Sequence, residues 1–399
     1  MTGNEFEQFA EAANTAHRSN PLQSVSLFER VTVLGGGGDA MMLAALCLSE
    51  QAQVTLFSAY GEELDLIRNA GMVSICGSGP IGNYQVDQPA VPSIITTAEL
   101  DKAVVNAEAI FLTGPVHKQR TYAMALADHI RDDQVLVLAP GRSFGAAEAA
   151  WLLRVGGCQA DFTVIETQGL PYWYQAVGTR LTLSPVPGVC AATVPSQRQD
   201  KIQALARLFP NIEAVPNILH SSFNDGSGLV EVPALVLGGL MVGDGMPSIP
   251  PGGIPLDENR SFRALIGPQH RVVIQQLADE RRRVAEKFGV RDLANMDQWL
   301  DTHAGLAKGE SARPVPGQNE AIRSVRCATI ASLVPLVSAA TLADEAVPTT
   351  ESIIHLACVL LGANVSSAGR RLESIGISGR DISDARRHLD AVARGEFHG

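Results

Sequence analysis

Val31-Thr32-Val33-Leu34-Gly35-Gly36-Gly37-Gly38-Asp39-Ala40 is the segment that decides the fold of this chain. Strand-favouring residues run into a glycine turn, and an apolar stretch with the pattern of a helix follows. Gly35, Gly37 and Ala40 stand at the G-x-G-x-x-A spacing of the strand-turn-helix unit that binds a dinucleotide. We therefore predict that Gly35, Gly37, Gly38 and Ala40 seat a pyrophosphate at the positive end of the helix. A flexible glycine loop without a ligand is the alternative.

A second predicted strand, Gln53–Phe57, ends at Ser58. Enzymes that use NAD usually place an Asp or Glu there, and its carboxylate binds the ribose 2′-hydroxyl. Ser58 carries no charge, and its hydroxyl can donate to a 2′-phosphate. The sequence therefore predicts that Ser58 faces the adenosine ribose and that NADP(H) is favoured, with NAD(H) as the alternative. The nearest downstream base, Arg68, lies in the next predicted helix.

The composition is that of a soluble, globular protein. Of 399 residues, 46% are hydrophobic and 18% are charged, which argues against disorder. The net charge of −11 argues against nucleic acid or an anionic membrane as the partner. Six cysteines show no C-x-x-C pair, so we expect neither a metal site nor disulfides. The first residues lack the basic and then apolar order of a signal peptide, and a cytoplasmic location is expected.

Strands and helices alternate up to about residue 195, and helical patterns dominate after it. This order predicts an α/β, Rossmann-like dinucleotide-binding domain over residues 28–195 and an all-α, substrate-binding and catalytic domain over residues 196–399, after an extension of residues 1–27. Proline and glycine cluster from Met246 to Pro255, which indicates a loop that could act as a lid. The apolar content of the helical domain suggests a homodimer.

Ligands of open α/β sheets lie beyond the carboxyl ends of the strands. Three predicted strands are followed there by Gly114-Pro115-Val116-His117, by Pro140-Gly141-Arg142-Ser143 and by the segment from Glu166 to Tyr172. Each Pro-Gly pair alone is typical of a plain turn. Because the segments meet at one edge, we expect Pro115 and Pro140 to line the nicotinamide half of the cofactor site, and Tyr172 to position the substrate.

The helical domain offers His220 as the candidate acid and base. His220 lies in a polar turn before an apolar helix, and histidine exchanges protons near neutral pH. A structural or capping histidine is the alternative. Asn224 follows closely, and Arg281 falls on the apolar stripe of a long predicted helix, where a buried arginine needs a carboxylate or an anionic ligand. We predict that both contact substrate, although the stem of Arg281 could instead pack while its head reaches water.

Taken as a set, these segments resemble the opine dehydrogenase family, especially its octopine and N-(1-carboxyethyl)norvaline dehydrogenases. Matching features are the G-x-G-x-x-A turn, Gly114-Pro115 with His117, Pro140-Gly141, Glu166-Thr167 with Leu170-Pro171-Tyr172, Asn217 to His220, Glu280-Arg281, Leu333 to Leu336 and Gly369 to Gly379. The resemblance covers nearly the whole chain after residue 28. It implies an enzyme that joins an amine or amino acid to an α-keto acid with hydride from NAD(P)H, with the family's proton-handling histidine at His220.

Three positions depart from the family pattern. Cys327-Ala328 stands where a carboxylate partner of the histidine is expected, Gln175 replaces an arginine, and Ser58 replaces an acid. Asp225 or Glu231 could supply the missing carboxylate, or the alignment slips there. Reduction of a preformed imine, a hydroxy- or keto-acid reductase on the same scaffold, and a noncatalytic dinucleotide-binding protein therefore remain alternatives.

Overall fold

The structure is a computed structural model that describes residues 28–238, 261–306, 309–377 and 381–396. The predicted N-terminal extension and the proline-glycine segment from Met246 to Pro255 lie outside the described residues. The strands, in chain order, are β1 Arg30–Leu34, β2 Gln53–Phe57, β3 Met72–Gly77, β4 Gly82–Gln85, β5 Ile94–Thr97, β6 Ala109–Leu112, β7 Val135–Leu138, β8 Thr163–Thr167, β9 Tyr172–Val177, β10 Arg180–Pro185, β11 Val189–Val194 and β12 Ile212–Ala214.

The main sheet has the order β12-β11-β8-β7-β6-β1-β2-β5. Its strands from β8 to β5 run parallel, and β11 pairs antiparallel with β8. Alternate residues of each central strand enter opposite cores: Leu34 of β1 packs on one face and Val33 on the other. A parallel sheet buried on both faces requires apolar residues at successive positions. This explains the continuous runs that predicted these strands.

A second sheet, of order β4-β3-β10-β9, packs beside the first. Strands β9 and β10 form an antiparallel hairpin, and β10 pairs parallel with β3. Sequence reasoning did not predict this separate sheet, because β9 and β3 lie far apart in the chain. Its consequence for the site is that β9 brings Tyr172 and Tyr174 to the cleft, with Tyr174 against the turn that follows β1.

The helices described in the first half are α1 Gly38–Ser49, α2 Gly61–Ala70, α3 Leu100–Val104, α4 Val116–Leu126, α5 Gly145–Val155 and α6 Asp200–Gln203. The second half contains α7 Ile218–Phe223, α8 Ser227–Val236, α9 Pro268–Lys287, α10 Met296–Ala304, α11 Gln318–Ala328, α12 Val334–Leu342, α13 Pro348–Leu361 and α14 Ile382–Ala393. A π-helical turn, Thr329–Leu333, joins α11 to α12. The predicted fold class, a Rossmann-like domain followed by a helical domain, is confirmed by this arrangement.

The edge of the main sheet lies beyond the domain boundary predicted at residue 195. Strand β12 pairs parallel with β11, so the main sheet extends to residue 214. A three-residue strand at a sheet edge gives too little pattern to be recognised in sequence.

One continuous helical stretch, Gln318–Leu342, is long and apolar enough to cross a membrane by length and composition. Most of it is buried inside the protein, between α8 and α13. A core helix of a soluble protein passes the same test. The stretch is therefore weak support for a membrane span.

Candidate active site

A cleft of about 1280 Å³ runs along the carboxyl ends of the parallel strands, facing the helical half of the chain. On the sheet side it is lined by residues 35–39 after β1, 113–119 after β6, 140–142 after β7 and 168–170 after β8. On the other side α8, α10 and α11 contribute polar side chains. The cleft thus lies at the edge where the sequence predicts a ligand.

The glycine turn after β1 forms part of the cleft wall. Gly35 has a φ of +138°, and a β-carbon there would lie 2.2 Å from Oγ1 of Thr113, so only glycine fits. A β-carbon on Gly37 would meet nothing within 4 Å, which leaves its backbone open to a ligand at the start of α1. Ala40 is fully buried behind the turn. The structure brings these predicted residues together, and their binding of a dinucleotide stays a prediction.

Tyr174 of β9 covers the last glycine of the turn. A β-carbon on Gly38 would lie 2.4 Å from the tyrosine ring, and the Tyr174 hydroxyl donates to Asp39 Oδ1 at 2.7 Å. Burial and the neighbouring Asp39 carboxylate raise the pKa of Tyr174 far above its usual range. Tyr174 therefore acts as a neutral hydrogen-bond donor at the first turn of α1.

The end of β2 differs from the sequence expectation. Ser58 is fully buried, does not line the cleft, and donates to Glu63 Oε2 at 2.7 Å. Glu63 of α2 lines the cleft instead, and its side chain packs on Gly36 of the glycine turn. Burial alone would raise the pKa of Glu63, but hydrogen bonds from Lys118 and Ser58 hold it below its usual value. The carboxylate that the sequence seemed to lack at the end of β2 is thus supplied by Glu63, five residues after Ser58.

Pro115 and Pro140 both line the cleft, as does Arg142 at the end of the β7 loop. Arg370, from the C-terminal segment, holds this loop in place. Its buried guanidinium donates to the carbonyls of Gly141 and Ser143 at 3.0 and 2.6 Å and pairs with Glu148 at 2.8 Å. The loop predicted to face the nicotinamide is therefore fixed by a residue more than two hundred positions away.

A buried polar cluster lies opposite the strand ends, centred on Glu231 of α8. Glu231 Oε1 lies 3.2 Å from Arg313, 3.7 Å from Nδ1 of His303 and 4.0 Å from Arg142. Its other oxygen accepts a hydrogen bond from Ser324 of α11 at 2.5 Å. All of these residues line the cleft. Within the described residues, no group of three or more His, Cys, Asp and Glu side chains could hold a metal ion.

The charge state of Glu231 follows from these partners. Burial by itself would raise the pKa of this carboxyl, but Arg313, His303 and Arg142 together hold it far below its usual range. Glu231 is therefore an ionised carboxylate at every pH near neutrality. It can accept hydrogen bonds and stabilise a cation, but it cannot serve as a proton donor.

His220 lies on α7, and it is not among the residues that line the cleft. Asn217 caps this helix, and its side-chain oxygen accepts hydrogen bonds from the amides of Leu219 and His220. The Nδ1 atom of His220 lies 2.9 Å from the same oxygen. Burial lowers the pKa of His220, against an opposing effect of Asp292. The geometry matches the alternative of a histidine at a capped helix start, and its position gives the catalytic prediction no support.

Arg281 is also outside the cleft lining, contrary to its predicted contact with substrate. It is 1% exposed and donates to Ser222 and Ser332, which tie α9 to α7 and the π-helical turn. Burial lowers the pKa of Arg281 to about 10. Within the described residues, its head meets neither a carboxylate at ion-pair distance nor solvent; backbone and serine oxygens of the core accept hydrogen bonds from it.

Asn224 and Tyr172, the other predicted substrate residues, do line the cleft. Asn224 also has a structural role, since its side-chain oxygen accepts from the amide of Ala294 at 2.7 Å and its carbonyl accepts from Trp299 at 3.0 Å. These bonds join the start of α8 to α10. Gln175, where the family pattern has an arginine, lines the cleft as well.

The family pattern has a carboxylate partner for its histidine where this chain has Ala328, and Asp225 and Glu231 were the suggested replacements. Ala328 is buried at the end of α11, just before the π-helical turn. Of the two suggested replacements, Asp225 is buried and accepts hydrogen bonds from Ser143 and Ser227. Glu231 faces His303 rather than His220. The histidine-carboxylate contact in the cleft is thus made by residues that the sequence did not pair.

Sequence reasoning missed His303, Arg313 and Glu63, and it considered Glu231 only as a partner of His220. No motif links residues 231, 303 and 313, which lie on separate segments of the helical half. A weak signal was available for Glu231, since a carboxylate within the very apolar helix α8 needs a cationic partner.

The chain is similar to known proteins over nearly its whole length. No protein-family model matches it. It is 22% identical over 367 residues to an opine dehydrogenase of Arthrobacter sp. (strain 1C), covering 88% of this chain and 96% of that relative. It is also 22% identical to the protein ocs of Agrobacterium tumefaciens (strain Ach5), covering 91% and 99% of the two chains. These relatives confirm the resemblance predicted from the sequence.

Solved structures agree in fold. Octopine dehydrogenase with NADH and pyruvate matches with a TM-score of 0.64 and 17% identity, over 94% of this chain and 99% of that one. The same enzyme with NADH and agmatine gives a TM-score of 0.65 at 16% identity and the same coverage. Yersinopine dehydrogenase with NADP+ gives 0.59 at 15% identity, over 92% and 99% of the chains. Both halves of the fold are therefore shared with these proteins.

Proposed function

We propose that this protein is an opine dehydrogenase-like oxidoreductase that acts on a C–N bond with a nicotinamide dinucleotide as hydride donor. In the reductive direction an amine, an α-keto acid, NAD(P)H and one proton give a secondary amine, NAD(P)+ and one water. The observation that carries the proposal is a single cleft that joins the glycine turn and strand ends to a buried polar cluster in the helical half. The relatives that match nearly the whole chain support the same reaction class.

The cofactor would lie along the sheet edge. Gly35, Gly37 and Gly38 at the start of α1 would hold the pyrophosphate, with Ala40 allowing the close packing behind them. Pro115 and Pro140 would face the nicotinamide half. A nicotinamide dinucleotide is the cofactor class of the matched structures, which contain NADH in one case and NADP+ in another.

We propose that NADH is the preferred cofactor. The expectation of NADP(H) rested on a free hydroxyl at Ser58, and that hydroxyl donates to Glu63 instead. Ser58 is buried and donates to Glu63, so its hydroxyl is not free for a 2′-phosphate. Glu63 places a carboxylate on the glycine turn, where it would accept hydrogen bonds from a ribose and repel a 2′-phosphate. Lys118 pairs with this carboxylate at 2.7 Å and keeps it ionised.

The cofactor proposal is tested by titrating the protein with NADH and NADPH. We expect tighter binding of NADH, and about tenfold loss of that preference in Glu63→Gln, since a charge-assisted hydrogen bond contributes about 1.4 kcal/mol. Glu62→Gln is the matched control, because Glu62 is exposed and does not line the cleft. Equal affinities in the wild type, or a preference unchanged by Glu63→Gln, would contradict the assignment.

The substrates proposed are a small amine or amino acid and an α-keto acid. Arg142 and Arg313 are the cleft cations nearest the centre of the cluster, and a keto-acid carboxylate fits between such guanidinium groups. Tyr172 and Asn224 would border the same space. The protein would act in the cytoplasm as a soluble homodimer, and light scattering of the purified chain tests the dimer.

The decisive assay follows NADH and NADPH oxidation with pyruvate, with and without a panel of amines, and identifies products by mass spectrometry. Amine-dependent oxidation that yields an N-(1-carboxyethyl) product supports the proposal. Oxidation independent of amine identifies a keto-acid reductase instead. Tight cofactor binding without oxidation by any substrate identifies a noncatalytic binding protein.

A further inference from the structure

A histidine lies in the cleft at a place that the sequence did not indicate. His303 is on α10, is 7% exposed, and lines the cleft beside the polar cluster. Its Nδ1 atom lies 3.7 Å from Glu231 Oε1. Among the histidines described in the structure, only His117 and His303 line the cleft, and His117 lies in the first turn of α4 on the sheet side.

The ring of His303 is held on more than one side. A β-carbon on Gly226 would lie 2.7 Å from its Cδ2 atom and 2.6 Å from Cδ1 of Trp299, so the backbone before α8 packs directly on both rings. The carbonyl of His303 accepts a hydrogen bond from Arg313, which also pairs with Glu231. Histidine, carboxylate and arginine are thus joined in one network with little freedom to rearrange.

The charges divide the roles within this network. Glu231 is ionised and cannot give up a proton, and its carboxylate, 3.7 Å from Nδ1, favours a proton on that ring nitrogen rather than on Nε2. The other ring nitrogen is then the one that exchanges protons with a bound molecule. Arg313 and Arg142 lie 3.2 and 4.0 Å from the carboxylate, Glu320 of α11 also interacts with it electrostatically, and Asp225 lies 3.8 Å from Arg142.

We propose that His303 is the acid and base of the reaction and that Glu231 is its positioning residue, an inference that rests on the proposed function. The amine nitrogen attacks the keto carbon and forms a C–N bond, giving a carbinolamine. His303 gives its proton to the carbinolamine hydroxyl, the C–O bond breaks, and water leaves. A bound reduced nicotinamide would supply the hydride that converts this iminium to the secondary amine and would itself be oxidised, and His303 regains a proton from solvent.

Paired variants of the two histidines test this assignment. In His303→Asn the amide can still reach Glu231 while the distal ring nitrogen is lost, and we expect kcat to fall by about 10²–10⁴-fold with the Kd for NADH within about twofold of wild type. His220→Asn is the matched control and should keep wild-type kcat. Loss of activity in His220→Asn with retention in His303→Asn overturns the inference.

Glu231→Gln tests the positioning role. We expect kcat to fall at least about tenfold with the Kd for NADH within about twofold of wild type, because the ring of His303 has lost the carboxylate that orients it. Glu231→Asp, which restores a carboxylate, should recover part of the rate. A purely structural role would lower kcat equally in Glu231→Gln and Glu231→Asp, or would weaken NADH binding along with kcat, and either result overturns the positioning assignment; circular dichroism confirms that each variant is folded.

The wild-type assay distinguishes a failure of the His303 assignment from a failure of the proposed function. An active wild type whose kcat is unchanged in His303→Asn ends only the assignment of His303. A wild type without amine-dependent oxidation of either cofactor ends the proposed function, and this assignment with it.

Discussion

The two ends of the cleft are built in different ways. The glycine turn takes its shape from consecutive residues, since Gly35 to Ala40 lie between one strand and the helix that follows it. The polar cluster takes its shape from side chains on α8, α10, α11 and two loops, brought together around Glu231. A local motif therefore fixes the shape of the glycine turn. The shape of the polar cluster is fixed only when the helical half packs against the sheet.

This contrast explains which functional residues can be recognised in a sequence. Glycines in a turn have fixed spacing because the backbone geometry requires it. Residues such as Glu231, His303 and Arg313 need only approach one another in space, so many spacings serve equally well. The nearest local substitute, His220 in its polar turn, was the residue that pattern reasoning selected, and the structure places it outside the cleft lining.

The largest effect is expected at Arg370, which holds the Pro140 loop from a distant part of the chain. Arg370→Met should lower the free energy of unfolding by about 3–5 kcal/mol, because it removes one of the two arginines paired with the buried Glu148 and leaves buried carbonyls without their donor. It also removes the donors that hold the Pro140 loop. Urea denaturation measures the loss, with Arg371→Met, at the exposed neighbour, as control. Equal stability of the two variants would show that the loop needs no distant support.

The glycine turn can be broken by one methyl group. Gly35→Ala combines a φ of +138° with a contact of 2.2 Å to Thr113, and we expect a loss of about 2–4 kcal/mol in unfolding free energy. Gly37→Ala is the matched control: with no neighbour within 4 Å it should cost less than about 1 kcal/mol, yet weaken NADH binding. Similar stability of the two variants contradicts the local account of the turn.

Glu166 tests how the two halves are joined. It is fully buried beneath the strand ends and accepts hydrogen bonds from Ser221 and Ser222 of α7 and from the amide of Ala146. Burial raises its pKa from 4.5 to about 7, although these hydrogen bonds oppose the rise. Below the pKa that Glu166 has in the unfolded chain, both the folded and the unfolded protein hold this proton. Between about pH 5 and 7 only the folded protein holds it.

The stabilisation from that proton is therefore lost as the pH rises. We expect the free energy of unfolding to fall by about 2 kcal/mol from pH 5 to pH 7 because of this group. Glu166→Gln should remove that part of the slope, since the amide carries no proton to lose, whereas Glu62→Gln at an exposed site should keep it. Denaturation at a series of pH values gives both slopes, and identical slopes would refute the prediction.

The smallest effect concerns Tyr174, which links the second sheet to the glycine turn. Tyr174→Phe removes the hydroxyl that donates to Asp39 at 2.7 Å, and the expected loss in unfolding free energy is about 1 kcal/mol. Tyr60→Phe, at a side chain that is 57% exposed, should change stability little. A comparable loss in both variants would indicate that the contact adds nothing to the turn.

Much of the fold was predictable because its causes are local. The central strands β1, β6 and β7 are short apolar runs, as a parallel sheet buried on both faces requires. The last strand of the main sheet, β12, lies beyond the boundary predicted at residue 195, because a three-residue edge strand leaves too little pattern to be recognised. Strands β9 and β10 were not predicted as part of a second sheet, since pairing between distant segments leaves no periodic trace.

The cofactor edge shows the same limit on a smaller scale. Position 58 was interpreted as the residue facing the ribose, since the end of β2 is where pattern matching looks for an acid. The chain turns there so that Ser58 is buried and Glu63, on the next helix, reaches the glycine turn. The residue type was correctly noted, but its orientation depended on how α2 packs.

The sequence by itself determined the strand-turn-helix unit at Gly35, the order of an α/β half before a helical half, and the resemblance to opine dehydrogenases. Each follows from backbone requirements or periodic burial, which act between residues close in the chain. The tertiary structure alone decided that Glu63 reaches the turn, that Arg370 holds the Pro140 loop, and that His303 faces Glu231 in the cleft. Those contacts join segments separated along the chain, and a buried charge finds its partner only when the core that buries it has formed.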